Sequence, residues 1–186
     1  MYKFELPLNE RTRRLMSIEN IFTRLNSQIQ NMTKFSEVGC FESYFNMRAT
    51  ASRADIKIEL TQELEKLILK KRQLNKTKKN LDLIKNLSHA KKNLDKLNLP
   101  QGNFYGADKF LQEIKTSSIS QTGIVRSDLP QLQLWLQQLS PKNKQQYFLN
   151  EIDSYMPIFE AIKVYLNTLR DSVTMQTVKS SDDGLV

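Results

Sequence analysis

The sequence predicts an all-α fold of about seven helices, with one short β-strand at the N-terminus. Three observations predict it. Gly and Pro number only five each in 186 residues, too few to punctuate a fold of many short strands. Leu, Lys, Gln and Asn are abundant, which suits long helices. Apolar residues recur at steps of three and four along most of the chain, the period of one helix face.

Residues 2–8, YKFELPL, alternate, with Tyr2, Phe4 and Leu6 on one side and Lys3 and Glu5 on the other. That period of two predicts a strand, ended by Pro7, which cannot donate to a ladder. Asn9 is placed to cap a helix whose seam is Leu15, Ile18, Phe22, Leu25, Ile29 and Met32, with Arg13, Arg24 and Gln28 opposite. Gly39 is expected to break the chain before Phe41, Tyr44, Phe45 and Ala49, which share a helical face. Ser52 is the expected cap of a longer helix bearing Ile56, Leu60, Leu64, Leu67 and Leu74. Asn75 to Thr77 reads as a turn, with Thr77 capping a return helix bearing Leu83, Leu87, Ala90, Leu94 and Leu97. Residues 52–98 therefore read as an antiparallel helical hairpin, a single unbroken helix being the alternative.

Pro100, Gly102 and Gly106 mark a loop, followed by a short helix around Phe110, Leu111 and Ile114. Residues 116–127 read as a mobile loop. Asp128 is the expected cap of a helix with Leu132, Trp135, Leu136 and Leu139 inward. Ser140-Pro141 restarts the chain into a helix with Tyr147, Phe148 and Ile152, because proline suits a first helical turn. Pro157 kinks or restarts it before Ile158, Ile162, Tyr165, Leu166 and Leu169. The domain reading is a strand over 1–8, a helical domain over 9–172 and a flexible tail over 173–186. The strand finds no partner elsewhere in the chain, and a lone strand is not stable in water.

The net charge of +8 is concentrated. Between Lys70 and Leu97, ten cations face only Asp82 and Asp95, which accounts for the whole excess. The patch includes Lys70, Lys71, Arg72, Lys76, Lys78 and Lys79, and it can steer an acidic partner. Residues 52–98 hold no aromatic side chain, so base stacking on single strands is not available there; contact with a phosphate backbone needs only charge. The bland reading is a lysine-rich solvent face of a two-helix arm.

Catalytic chemistry is hard to assemble. His89 is the only histidine and Cys40 the only cysteine. The first reads as a helix residue beside lysines, the second as an inert packing thiol. There is no phosphate-binding GxxxxGK[ST] loop, no GxGxxG and no metal-ligand spacing. Glu59, Glu63 and Glu65 read as a solvated helix face, and Trp135 as a core anchor. A single thiol and no apolar leader or 18-residue apolar run give the expectation of a cytoplasmic protein with no membrane partner. No enzyme activity, cofactor or metal is expected.

Three stretches carry a resemblance. The first is Phe4-Glu5-Leu6-Pro7-Leu8-Asn9-Glu10, followed by Arg13, Ile18-Glu19 and Leu25. The second is Ser127-Asp128-Leu129-Pro130 with Leu132 and Trp135-Leu136. The third is Arg53-Ala54-Asp55-Ile56-Lys57 with Glu59-Leu60 and Glu63-Leu64. In this order and spacing they resemble the ZapD family of bacterial cell-division factors, over nearly all of residues 2–172. The resemblance implies a dimerising helical domain and a smaller β domain with a positive pocket. It also implies binding to the C-terminal tail of the tubulin-like protein FtsZ, bundling of its protofilaments and a place at mid-cell. Typical members continue well past the position of Thr177, so the family's β domain is expected to be largely missing here, and several pocket arginines cannot be carried over. Arg13, Arg53 and Lys57 are the matching basic candidates for partner binding; Gln133 stands where the family has a histidine. Two rival readings stay open: a basic helical protein binding nucleic acid non-specifically, and a dimerising division factor that has lost FtsZ binding.

Overall fold

The computed structural model describes residues 5–7, 9–33, 36–74, 77–98, 108–119, 124 and 128–172. Eight helices lie among them, one more than expected: α1 (Glu10–Gln30), α2 (Glu37–Ala51), α3 (Ala54–Arg72), α4 (Lys78–Lys96), α5 (Lys109–Ser118), α6 (Pro130–Gln138), α7 (Pro141–Asp153) and α8 (Met156–Arg170). No strand is found among the described residues. Glu5 to Pro7 are irregular, and the remainder of the strand expected over 2–8, like the loop at 99–107, lies outside them.

Side-chain caps set several helix starts. The Thr12 N–H donates to Asn9 Oδ1 at 2.8 Å, the Asn80 N–H to Thr77 Oγ1 at 3.2 Å and the Asn143 N–H to Ser140 Oγ at 3.2 Å. Each satisfies a donor that the first helical turn leaves unpaired. Asp108 does the same for Leu111 at 3.1 Å.

Other boundaries differ from expectation. Gly39 does not break the chain. It lies in the first turn of α2, where the N–H groups have no intrahelical partner anyway; no neighbour lies within 4 Å of where its Cβ would stand. Ser52 ends α2 rather than starting α3: its N–H donates to the Arg48 carbonyl at 3.0 Å. Arg53 holds the cap position of α3 without a side-chain bond. Leu129, not Asp128, occupies the cap position of α6, where Pro130 fixes the first turn. Helix α5 runs on to Ser118, into the segment expected to be a loop.

The α1 seam is buried from Leu15 to Ile29 as the spacing requires. On α2 the buried face runs through Met47, Arg48 and Ala51, and Ala49 is exposed. On α3 it runs through Ile68, and Leu74 lies beyond the helix end, half in solvent. α3 and α4 form the antiparallel hairpin: Lys57 meets Leu97, Glu65 meets Lys91, and Lys71 meets Asn80. That reversed order eliminates the single unbroken helix. α4 and α1 both pack on α8, and α1 also packs on α2. Phe22 of α1 stacks on Phe159 of α8 with ring centroids 4.9 Å apart.

A second packing centre joins α2, α5, α6 and α7. Phe41, fully buried, touches Phe148 at 4.8 Å, Trp135 at 5.2 Å and Phe110 at 5.8 Å, all edge to face. Such geometry sets the positive ring edge against the negative face. Beside it, Lys144 of α7 donates to Glu37 Oε1 at 2.5 Å and to the Leu136 carbonyl at 2.6 Å. Both charged side chains are nearly buried, at 4% and 6% exposure. A buried charge must be paired, and this pair joins the start of α2 to α6 and α7.

Candidate partner-binding surfaces

The three basic residues singled out by the resemblance do not form one cluster. Arg53 holds the cap position of α3 and Lys57 follows at the start of the helix, at the base of the hairpin, whereas Arg13 is on α1. The Arg53 guanidinium meets Asp55 twice, Nε to Oδ1 at 3.1 Å and Nη2 to Oδ2 at 2.8 Å. Asp55 also receives Arg14 Nη1 at 3.2 Å, and Glu59 takes the same nitrogen at 3.2 Å. Arg53 hydrogen-bonding holds the Asp55 carboxyl below its ordinary range. Arg14, one residue from the expected Arg13, is therefore what ties α1 to the hairpin base.

Lys57 has a different task. Its ammonium donates to the carbonyls of Leu97 at 2.7 Å and Asp95 at 3.3 Å. These lie at the C-terminal end of α4, where carbonyls lack helical partners and a cation is favourable. Arg13 pairs with Glu10 of its own helix at 3.2 Å and lines a shallow depression with Glu5, Pro7, Glu19 and Arg170. Arg170, in the lining of that depression, donates to both Glu19 (2.6 Å) and Glu5 (2.8 Å). It thereby fastens the N-terminal segment to α8 and α1. Hydrogen bonding to these two carboxylates raises the Arg170 pKa, and Arg170 in turn lowers that of Glu5.

Glu63 and Glu59 are not a solvated face. Glu63 accepts from Arg11 at 3.0 Å, Lys66 at 2.7 Å and the Tyr165 hydroxyl at 3.3 Å, joining α1, α3 and α8. Burial pushes its carboxyl up, but the bonds from Lys66 and Arg11 outweigh this and leave it lowered. Glu65 crosses to Lys91 of α4 at 3.2 Å.

The tip of the hairpin is chemically different from its base. Lys70, Lys71, Arg72, Lys78 and Lys79 lie in the last turn of α3 and the first turn of α4. None of them makes an ion pair among the described residues. Lys76, the sixth member of the predicted patch, lies outside those residues. From Leu69 to Asp82 no described residue is buried or packs against the core; on α4 that packing begins with the half-buried Leu83 and Ile84. Asp82, the one acid in that stretch, lies 3.9 Å from Lys85.

The remaining candidates hold no site. Cys40 is fully buried; burial first, then the Glu37 charge, pushes its thiol up to about 11, which disfavours the reactive thiolate. His89 is exposed on α4 and bonds Asn93 at 3.1 Å. Trp135 is half-buried in the aromatic centre, with the Lys144 ammonium 5.6 Å from its ring. Among the described residues no group of three metal-ligating side chains gathers, and no helix is long and apolar enough to cross a membrane.

Sequence reasoning missed Arg14, Arg170 and the Glu37–Lys144 pair. Arg11 and Arg14 precede Ile18 by seven and four residues, so helical spacing alone puts them beside the α1 seam. The other pairings join residues more than a hundred positions apart, and local patterns carry no sign of them.

A family model described as the cell division protein ZapD matches residues 16–185. The cell division protein ZapD of Chromobacterium violaceum is 30% identical over 180 residues, covering 92% of this chain and 70% of that protein. That of Nitrosomonas eutropha is 29% identical over 181 residues, covering 94% and 71%. That of Aliivibrio fischeri is 33% identical over 141 residues, covering 73% and 56%.

Proposed function

The chain belongs to the ZapD family of cell division proteins, and from that premise we propose that it is a non-enzymatic adaptor that binds FtsZ and promotes assembly of the division ring. The observation that carries this reading is the family match along residues 16–185. In it the chain works in the cytoplasm at mid-cell, as a homodimer, and grips the C-terminal tail of FtsZ.

A symmetric dimer gives the mechanism. Two copies of one binding surface on a rigid body bridge two filaments, and many such bridges along polymers convert weak single contacts into firm bundling. The base of the hairpin is the surface assigned to the filament. Arg53 sits there, its side chain 57% exposed. Its partner Asp55 is also open to solvent, so an acidic peptide can exchange for it at little cost. Lys57 serves mainly to hold the end of α4 in place, and Arg13 lies apart from this surface, in the depression beside Arg170.

Co-sedimentation with FtsZ and GTP tests this. The reading predicts more FtsZ in the pellet when the chain is present, no such gain when the FtsZ C-terminal tail is deleted, and a weakened gain with Arg53→Glu. No gain with intact FtsZ overturns it. Light scattering on a sizing column checks the dimer: a strictly monomeric chain removes the bridging mechanism.

A further inference from the structure

We propose that the tip of the α3–α4 hairpin is a docking element for the surface of an anionic lipid bilayer. It juxtaposes cations that have no ion pair among the described residues with exposed leucines, beyond the last buried residue of α3.

Two observations set the tip apart. The first is charge. Lys70, Lys71, Arg72, Lys78 and Lys79 make no ion pair among the described residues, whereas the cations at the hairpin base are bonded to carboxylates or helix-end carbonyls. The second is apolar exposure. Seven large apolar side chains are exposed among the described residues, and three of them, Leu69, Leu74 and Leu81, lie in this tip, at 59%, 51% and 45%. Leucines in water beside lysines gain nothing within this chain.

The combination selects the partner. A phosphate backbone uses the cations but offers the leucines no apolar surface, and the tip holds no aromatic for stacking on bases. A peptide ligand is ordinarily held in a groove, and this tip is the projecting end of two helices. An anionic bilayer answers both features: its headgroups attract the lysines, and the boundary beneath them takes the leucines. No membrane span is required, since the contact is with the interface plane.

The placement fits a second role beside the first. Lys57 and Arg72 are separated by fifteen helical residues, a rise of roughly 22 Å at the usual pitch. The filament-facing base and the tip are thus held apart by a paired helix, and the contact with lipid leaves the base free.

Vesicle flotation of the full chain tests the proposal. The vesicles contain phosphatidylglycerol and phosphatidylcholine, or phosphatidylcholine alone. Binding at least about tenfold stronger to the anionic vesicles is expected, because each lysine at such a surface adds roughly a fivefold factor. Lys70→Glu with Lys78→Glu abolishes flotation. Leu74→Ser with Leu81→Ser keeps every charge and lowers binding about tenfold, while circular dichroism stays that of the parent. Absence of flotation overturns the proposal. So does binding that ignores the leucine substitutions, which reduces the tip to an electrostatic contact. Displacement from vesicles by duplex DNA at equal phosphate concentration, undiminished in the leucine variant, identifies a nucleic-acid surface instead. None of these assays contains FtsZ, so their outcome is separate from that of the filament reading.

Discussion

The two ends of one helical hairpin contain similar residues in opposite states. At the base, Arg53, Lys57 and Arg14 are bonded to Asp55, Glu59 and the end of α4, and Ile56, Leu60 and Leu94 beneath them are fully buried. At the tip, five cations have no acidic partner among the described residues, and none of those from Leu69 to Asp82 is buried. The difference teaches that a lysine count alone does not locate a binding surface. At the base Lys57 and Arg14 tie helices together while Arg53 stays exchangeable; the cations at the tip contribute a field and little stability.

Stability measurements can break this contrast, beginning with the body on which the base rests. Phe41→Ala removes the hub of the aromatic centre and is expected to cost about 3–5 kcal/mol, read as a lowered urea midpoint. A loss below about 1 kcal/mol would show that the centre is loosely packed. Glu37→Gln leaves the Lys144 ammonium buried without its counter-charge and is expected to cost about 3–5 kcal/mol. Replacing both, as Glu37→Leu with Lys144→Met, should recover much of that loss, because an apolar pair of similar volume carries no unpaired charge.

The pH dependence sharpens the picture at the Arg170 clamp. Arg170 hydrogen-bonding holds the Glu5 carboxyl below its ordinary 4.5, and Arg53 holds Asp55 below 3.8. A lowered folded value means that the unfolded chain takes up protons first as the pH falls. The stabilisation from these carboxylates is therefore complete above about pH 5 and is lost as the pH drops through the folded values. Glu5→Gln should flatten the thermal stability profile between pH 5 and pH 3 without changing its shape near pH 7. A profile identical to that of the parent would show that the clamp is not formed in solution.

The smallest effect belongs to the tip. Lys70→Gln with Lys78→Gln should change unfolding free energy by no more than about 0.5 kcal/mol, as for surface substitutions away from packed contacts. A larger loss, measured by urea titration, would mean that the tip is structural and would erase the difference between the two ends.

Much of the helical plan was legible because it rests on local rules. Asn9 and Thr77 cap where the sequence places them, the chain restarts at Ser140-Pro141 as proline's preference requires, and the seam from Leu15 to Ile29 is buried at its predicted spacing. The misplaced boundaries share a cause. At Ser52, Asp128 and Gly39 one local rule displaced another: Ser52 closes the last turn of α2, Pro130 sets the cap position of α6 one residue after Asp128, and Gly39 falls in a first turn whose N–H groups need no helical partner. Glu37 reveals the limit more clearly: nothing nearby marks it as buried, and its partner Lys144 is 107 residues away. At the surface, the cationic hairpin was visible from composition, but the division between bonded base and unbonded tip was not. That division depends on Arg14, Asp95 and Leu97 arriving from other helices.

The most direct test sets the two ends against each other in one FtsZ co-sedimentation series with GTP and no lipid. The account predicts that Arg53→Glu lowers the pelleted FtsZ toward the level without the chain, while Lys70→Glu with Lys78→Glu leaves it close to that of the parent. Pelleting that is insensitive to Arg53 and abolished by the tip reversal would contradict it.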